Sequence, residues 1–170
     1  FGKTISFIIR NFHAEVTLYE TPELRIEPNE RDHSVFGSIE ELVRNVKQFG
    51  YYGGIRLLKA GVKRFFEYCH KHNIPLHGRN FTLRYQSNIP PQVGMAGSSA
   101  IITACWRALM EFYKVEIPKH LVPSLVLAVE NEELGIPAGL QDRVIQSYEG
   151  VVFMDFNRAS IEKLGYGIYE

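Results

Sequence analysis

Apolar and polar residues alternate from Thr4 to Arg10 and again from His13 to Tyr19. Side chains two apart share one face of a strand, so the pattern predicts two half-buried strands, a hairpin or neighbours, broken at Asn11-Phe12. Leu24 to Glu27 extends the sheet. The period then lengthens. Ser38 and Glu41 form a capping box, and Ile39, Leu42, Val43, Val46 and Phe49 recur at helical spacing as far as Gly50. Beyond Tyr51-Tyr52-Gly53-Gly54, a long helix from Ile55 to about His72 turns Leu57, Leu58, Val62, Phe65, Phe66 and Cys69 inward. Its Lys59, Lys63, Arg64 and Lys71 face water, and Asn73 and Pro75 end it.

Phe81, Leu83 and Tyr85 alternate with polar partners and predict a strand that leads into Asn88–Ala100. A helix follows from Ser99 to Tyr113, with Ile102, Cys105, Trp106, Leu109 and Phe112 on its inner side. Another starts near Pro118 and runs to about Leu134, with Leu121, Leu125, Val126 and Val129 inward. Gly135-Ile136-Pro137-Ala138-Gly139 breaks the chain before a short helix from Leu140 to Tyr148. Val151 to Phe156, bounded by Gly150 and Asn157, reads as a buried strand. Strands come first and helices follow with returning strands, an order that predicts an α+β fold: a mixed sheet with helices on one face.

Composition narrows the partners. A length of 170 residues, 45% of them apolar, suits one domain with a core. Lys plus Arg number 19 and so do Asp plus Glu, which leaves no basic field for nucleic acid or anionic lipid. No apolar run approaches a membrane span and no leader precedes the first strand, so no membrane association and a cytoplasmic location are expected. Cys69 and Cys105 fall among apolar helical neighbours and read as buried reduced thiols. His70, His72 and His77 straddle a helix end without ligand spacing and read as solvent-facing. The chain opens at Phe1 without Met and stops at Glu170 without a polar tail. Residues 1–170 are therefore expected to be one domain of a longer protein, short of its first strand.

The chemistry gathers around Asn88-Ile89-Pro90-Pro91-Gln92-Val93-Gly94-Met95-Ala96-Gly97-Ser98-Ser99-Ala100. Gly94 and Gly97 let the backbone approach a ligand, and the free N–H groups of the following helical turn make an anion site with the helix dipole behind it. Gly94, Met95, Ala96, Gly97, Ser98 and Ser99 are the expected phosphate-binding residues. The serine hydroxyls suit phosphate oxygens or Mg²⁺. No Lys follows them, which excludes the G-x-x-x-x-G-K-[ST] loop. Downstream, Glu130 lies near a helix end and Asp142 in a first helical turn, behind a Gly-rich approach at Gly139 that admits a substrate to the backbone. Phosphoryl transfer needs a phosphate cradle, a metal ligand and a carboxylate for the attacking hydroxyl. The plainer alternatives are an exposed Glu130 beside Glu132 and Glu133, and an Asp142 that only complements the helix dipole.

Pro90-Pro91-x-x-Gly94-Met95-x-Gly97-Ser98-Ser99-Ala100 resembles the second motif of the GHMP kinase superfamily, which phosphorylates sugars and small alcohols. Glu130 through Val144, Tyr51 through Leu58, Gly150 through Phe156 and Leu164 through Tyr169 are similar to the glucuronokinase branch of that superfamily. The resemblance implies the N-terminal domain of such kinases, with a fold similar to ribosomal protein S5 domain 2, and the absence of the C-terminal domain. It also implies ATP as co-substrate, a sugar acid such as D-glucuronate as acceptor, and Mg²⁺ held by Ser99 and Glu130. Asp142 would be the catalytic carboxylate, and Lys3 is the nearest match to a Lys that assists the hydroxyl in some members. Arg143 and Arg56 are candidates for the acceptor's carboxylate, with an ion pair as the alternative for each. A different sugar or small alcohol, or a noncatalytic nucleotide-binding domain, are the competing readings.

Overall fold

The computed structural model describes residues 2–29, 32, 38, 39, 43, 44, 53–91 and 93–170. The helix expected from Ser38 falls largely outside these residues, as do Tyr51 and Tyr52. Two layers of structure follow from the patterns above. Strands β1 (Lys3–Phe7), β5 (Val151–Asp155) and β6 (Ile168–Tyr169) form an antiparallel sheet in the order β1-β5-β6. Strands β2 (Ala14–Glu20), β3 (Arg25–Ile26) and β4 (Phe81–Ser87) form a second in the order β2-β4-β3, mixed because β3 runs parallel to β4.

Thus β1 and β2 are neither a hairpin nor neighbours. Lys3 to Phe7 pairs with Asp155 to Val151, and Ala14 to Glu20 pairs with Ser87 to Phe81. Alternation specifies which face of a strand is buried and says nothing about its partner. The expected single mixed sheet is accordingly two sheets among the described residues, in a fold that is α+β.

Helices α1 (Gly54–Lys71) and α2 (Gly97–Tyr113) pack together over the second sheet, and α3 (Val122–Ala128) closes the cluster. Leu58, Phe65, Cys69, Ile102, Cys105, Trp106 and Leu109 form its centre, each at most 1% exposed. Phe65 meets the Trp106 ring edge-on at 5.5 Å. Phe66, expected inside, is 57% exposed, because its position on α1 falls beyond the stripe that α2 covers. Both cysteines are free and buried. α1 can begin where it does only because residue 54 is Gly: a Cβ there would lie 1.9 Å from the Tyr85 ring, whose hydroxyl accepts from Gly54 N at 3.1 Å.

A smaller core joins α4 (Leu140–Tyr148) to the first sheet through Val144, Ile145, Val152 and Met154. The opposite face of that sheet bears Ile5, Phe7 and Val151, all about 70% exposed, so β5 is buried on one side only and not throughout as expected. α5 (Arg158–Leu164) was not anticipated. Its signals are local: Asn157 Oδ1 accepts from Ala159 N at 2.9 Å, and Gly165 ends the helix at φ 77°. None of its residues is buried, so it lacks the apolar stripe by which helices are read. Among the described residues no helix is long and apolar enough to cross a membrane.

Candidate active site

The loop between β4 and α2 is tied at its entrance. Asn88 accepts from His13 N through Oδ1 at 2.7 Å and donates through Nδ2 to Asn11 O at 3.0 Å. Gly94 then takes φ 74°, and Ala96 takes φ 54° as the residue before α2. An alanine in the left-handed region costs about 1–2 kcal/mol and persists only where its surroundings hold it. Here the Ala96 carbonyl accepts from Ala100 N at 3.1 Å, Ser99 Oγ at 3.0 Å and Gln146 Nε2 at 3.1 Å. With no acidic residue in the first turn of α2 and no side chain capping it, the N-terminal N–H groups have their dipole free for an anion.

The expected helix from Pro118 to Leu134 is divided. Pro118 to Leu121 forms a turn, α3 occupies Val122–Ala128, and Val129–Glu133 winds as a π turn, with Leu134 N donating to Val129 O at 3.2 Å. The wider turn rotates successive side chains apart, a device common at functional sites. Glu132 and Glu133 point outward and pair with Arg64 at 2.6 Å and Lys63 at 2.7 Å. Glu130 points inward and is 0% exposed, which rules out the surface reading of this residue.

Both oxygens of Glu130 are engaged. Ser98 Oγ donates to Oε1 at 2.6 Å, while Arg143 meets Oε2 through Nε at 2.7 Å and Nη2 at 2.6 Å. Arg143 Nη1 donates onward to Asp142 Oδ2 at 3.2 Å and to Gly139 O at 3.0 Å. Asp142 stands in the first turn of α4, after an extended Gly139, with 52% of its side chain exposed. The first turn of α2, the π turn and α4 are thereby joined in one hydrogen-bonded row.

Of the residues that sequence reasoning assigned to the site, Ser98, Glu130, Gly139, Asp142 and Arg143 are joined in this row, and Gly94, Met95, Ala96 and Gly97 lie in the loop and first turn that lead to Ser98. Three expectations come out differently. Ser98, not Ser99, reaches Glu130; Ser99 is buried and holds the backbone turn, because its direction on α2 faces the core. Lys3 pairs with Asp155 at 3.6 Å, on the opposite face of β1 from Ser6, which accepts from Gln141 of α4 at 3.1 Å. Arg56 donates to Leu134 O at 2.8 Å, behind the Gly135–Gly139 loop. Gln146 was missed. Its position four residues after Asp142, on the same helical face, was the available signal.

The donor set at Ser98 and Glu130, a hydroxyl and a carboxylate oxygen, fits Mg²⁺, which takes few protein ligands and completes its shell with water and phosphate. No group of three or more His, Cys, Asp or Glu side chains suited to an all-protein metal cage occurs among the described residues.

Residues 56–150 match the GHMP kinases N terminal domain. The chain belongs to that family. Glucuronokinase 1 of Arabidopsis thaliana is 47% identical over 175 residues, an alignment covering 99% of this chain and 47% of that protein. Probable glucuronokinase 2 of the same plant is 49% identical over 173 residues, with the same coverage. The chain therefore spans about half the length of these curated relatives. A D-glycero-D-manno-heptose 1-phosphate kinase from Bacteroides thetaiotaomicron superposes with a TM-score of 0.67 over 94% of this chain and 48% of that one. At 20% identity that likeness speaks to the fold of this GHMP kinase domain alone.

Proposed function

We propose that this GHMP kinase domain is the ATP- and substrate-binding part of a sugar-1-kinase that moves the γ-phosphoryl group of ATP to the anomeric hydroxyl of D-glucuronate. The observation that supports the reading is the row from Ser98 through Glu130 and Arg143 to Asp142, in which a hydroxyl–carboxylate pair of the chemistry Mg²⁺ takes and a half-exposed carboxylate follow the uncapped N-terminus of α2. Identity of 47% and 49% to two glucuronokinases across the chain supports the choice of acceptor.

In this reading the N–H groups of Gly97 and Ser98, backed by the α2 dipole, receive the phosphates of ATP. Ser98 and Glu130 would hold Mg²⁺, which when bound would supply positive charge against the phosphates. Asp142 accepts the proton of the anomeric hydroxyl as its oxygen bonds to the γ-phosphorus and the bond to the β-phosphate oxygen breaks. ADP and the sugar 1-phosphate leave. A carboxylate on the rim rather than in the core suits this role, since it must face the acceptor. The location is cytoplasmic, where ATP is held.

Phosphorus NMR of the full-length protein with MgATP and a panel of sugars and sugar acids tests the reading. A new sugar 1-phosphate signal with glucuronate is the expected result. Signal with another sugar alone would overturn the acceptor, and ATP binding without any new phosphate ester would overturn the reaction.

A further inference from the structure

Arg143 is the one cation in the row, and its setting is unlike that of a substrate-binding arginine. It lies at the N-terminal end of α4, where the helix dipole disfavours positive charge, and it is 4% exposed. All three of its nitrogens are engaged within the protein: Nε and Nη2 on Glu130 Oε2, Nη1 on Gly139 O and Asp142 Oδ2. A guanidinium kept for an acceptor's carboxylate would present an open edge.

The Glu130 contact compensates a buried charge and is required by burial alone. The Asp142 contact is not. With 52% of its side chain exposed, Asp142 is solvated without help, so a bond from a buried arginine restricts its rotamers rather than offsetting desolvation. A planar fork can hold two carboxylates at a set angle, which a flexible ammonium cannot.

Building on the phosphoryl-transfer reading, we propose that Arg143 is a positioning residue, a rigid bridge that turns the Asp142 carboxylate toward the acceptor and keeps Glu130 Oε1 toward Ser98. The metal side and the base side of the site are thereby set by one side chain. The acceptor's own charge is met elsewhere.

The test uses the full-length protein. Arg143→Lys keeps the charge and loses the fork, so kcat should fall by about tenfold to a hundredfold while KM for ATP and acceptor stays within about threefold. The Mg²⁺ concentration needed for half-maximal binding of a fluorescent ATP analogue, read without turnover, should rise by about tenfold. Arg143→Ala should regain turnover when guanidinium is added at low millimolar concentration, and should not when a stabilising osmolyte is added instead. A merely structural arginine gives the reverse: parental kcat in Arg143→Lys at a lower melting temperature, or rescue by the osmolyte. Arg143→Gln provides the same kcat and KM comparison if the lysine variant does not fold. Asp142→Asn, assayed in parallel, separates the two claims. An active Asp142→Asn overturns the role that the phosphoryl-transfer reading gives to Asp142, whereas an inactive one beside a fully active Arg143→Lys overturns the bridge alone.

Discussion

Glu130 and Asp142 occupy opposite environments in one site. Glu130 sits on the inward side of the π turn at 0% exposure, with Ser98 and Arg143 on its two oxygens. Asp142 stands on the rim at the start of α4, half in water, and is touched by the same arginine through one oxygen. A buried carboxylate with partners on two other elements is held by the fold and can offer a cation a single geometry. A rim carboxylate at a helix N-terminus faces water, contributes little to the core and keeps a lone pair free for a proton. Damage to the first should therefore be felt in stability and reaction together, and damage to the second in the reaction alone.

The sharpest break in that comparison is Asp142→Asn. Turnover should drop about 10²–10⁴-fold with ATP affinity intact, while urea unfolding moves by less than about 0.5 kcal/mol. Parental turnover would remove Asp142 from the chemistry. Glu130→Ala comes next. It leaves Arg143 buried without its main partner, and denaturant melts should show a loss of about 3–5 kcal/mol alongside the loss of activity. If the melt is unchanged, burial is not what distinguishes the two carboxylates.

The serines refine the same contrast. Ser98→Ala should raise the Mg²⁺ requirement for nucleotide binding by about tenfold, while Ser99→Ala should cost about 1 kcal/mol of stability through the Ala96 turn and leave that requirement alone. Interchanged outcomes in a titration of the two variants would reverse their assignment. The smallest effect concerns burial without any ionic partner. The Cys105 thiol is pushed up to about 12 by burial. A folded state that favours the neutral thiol is stabilised fully below the ordinary thiol value, and this contribution fades as pH rises toward 12. Thiol labelling at pH 9 should therefore be slow for Cys105 in native protein and fast in urea; rapid native labelling would contradict the burial.

Much of the architecture could be read from the chain because its signals are local. The starts of α1, α2 and α4 follow from Gly53-Gly54, Gly97 and Gly139, and the end of α1 from Asn73 and Pro75. The loop before α2 was legible because glycine spacing next to a strand and a helix is a backbone requirement. The choice between Ser98 and Ser99 was not. Adjacent helical positions point about 100° apart, and which direction meets Glu130 depends on how α2 lies against the π turn. The π turn was hidden for a similar reason: Val-Glu-Asn-Glu-Glu has no local preference for a wider turn, and the outward pairs to Lys63 and Arg64 of α1 accompany it only in the folded chain.

By itself the sequence pointed to strands β1, β2, β4 and β5, to helices α1, α2 and α4 with most of their apolar faces, to the loop before α2 as a candidate anion cradle, and to the family the chain belongs to. Each is a property of residues within a turn or two of one another. Tertiary structure alone decided that β1 pairs with β5 and β2 with β4, that Lys3 turns to Asp155, and that Arg143 meets both Glu130 and Asp142. Those outcomes join residues far apart in the chain, where many pairings satisfy the same local pattern. The choice among them rests on which arrangement leaves the fewest buried charges and polar groups without a partner.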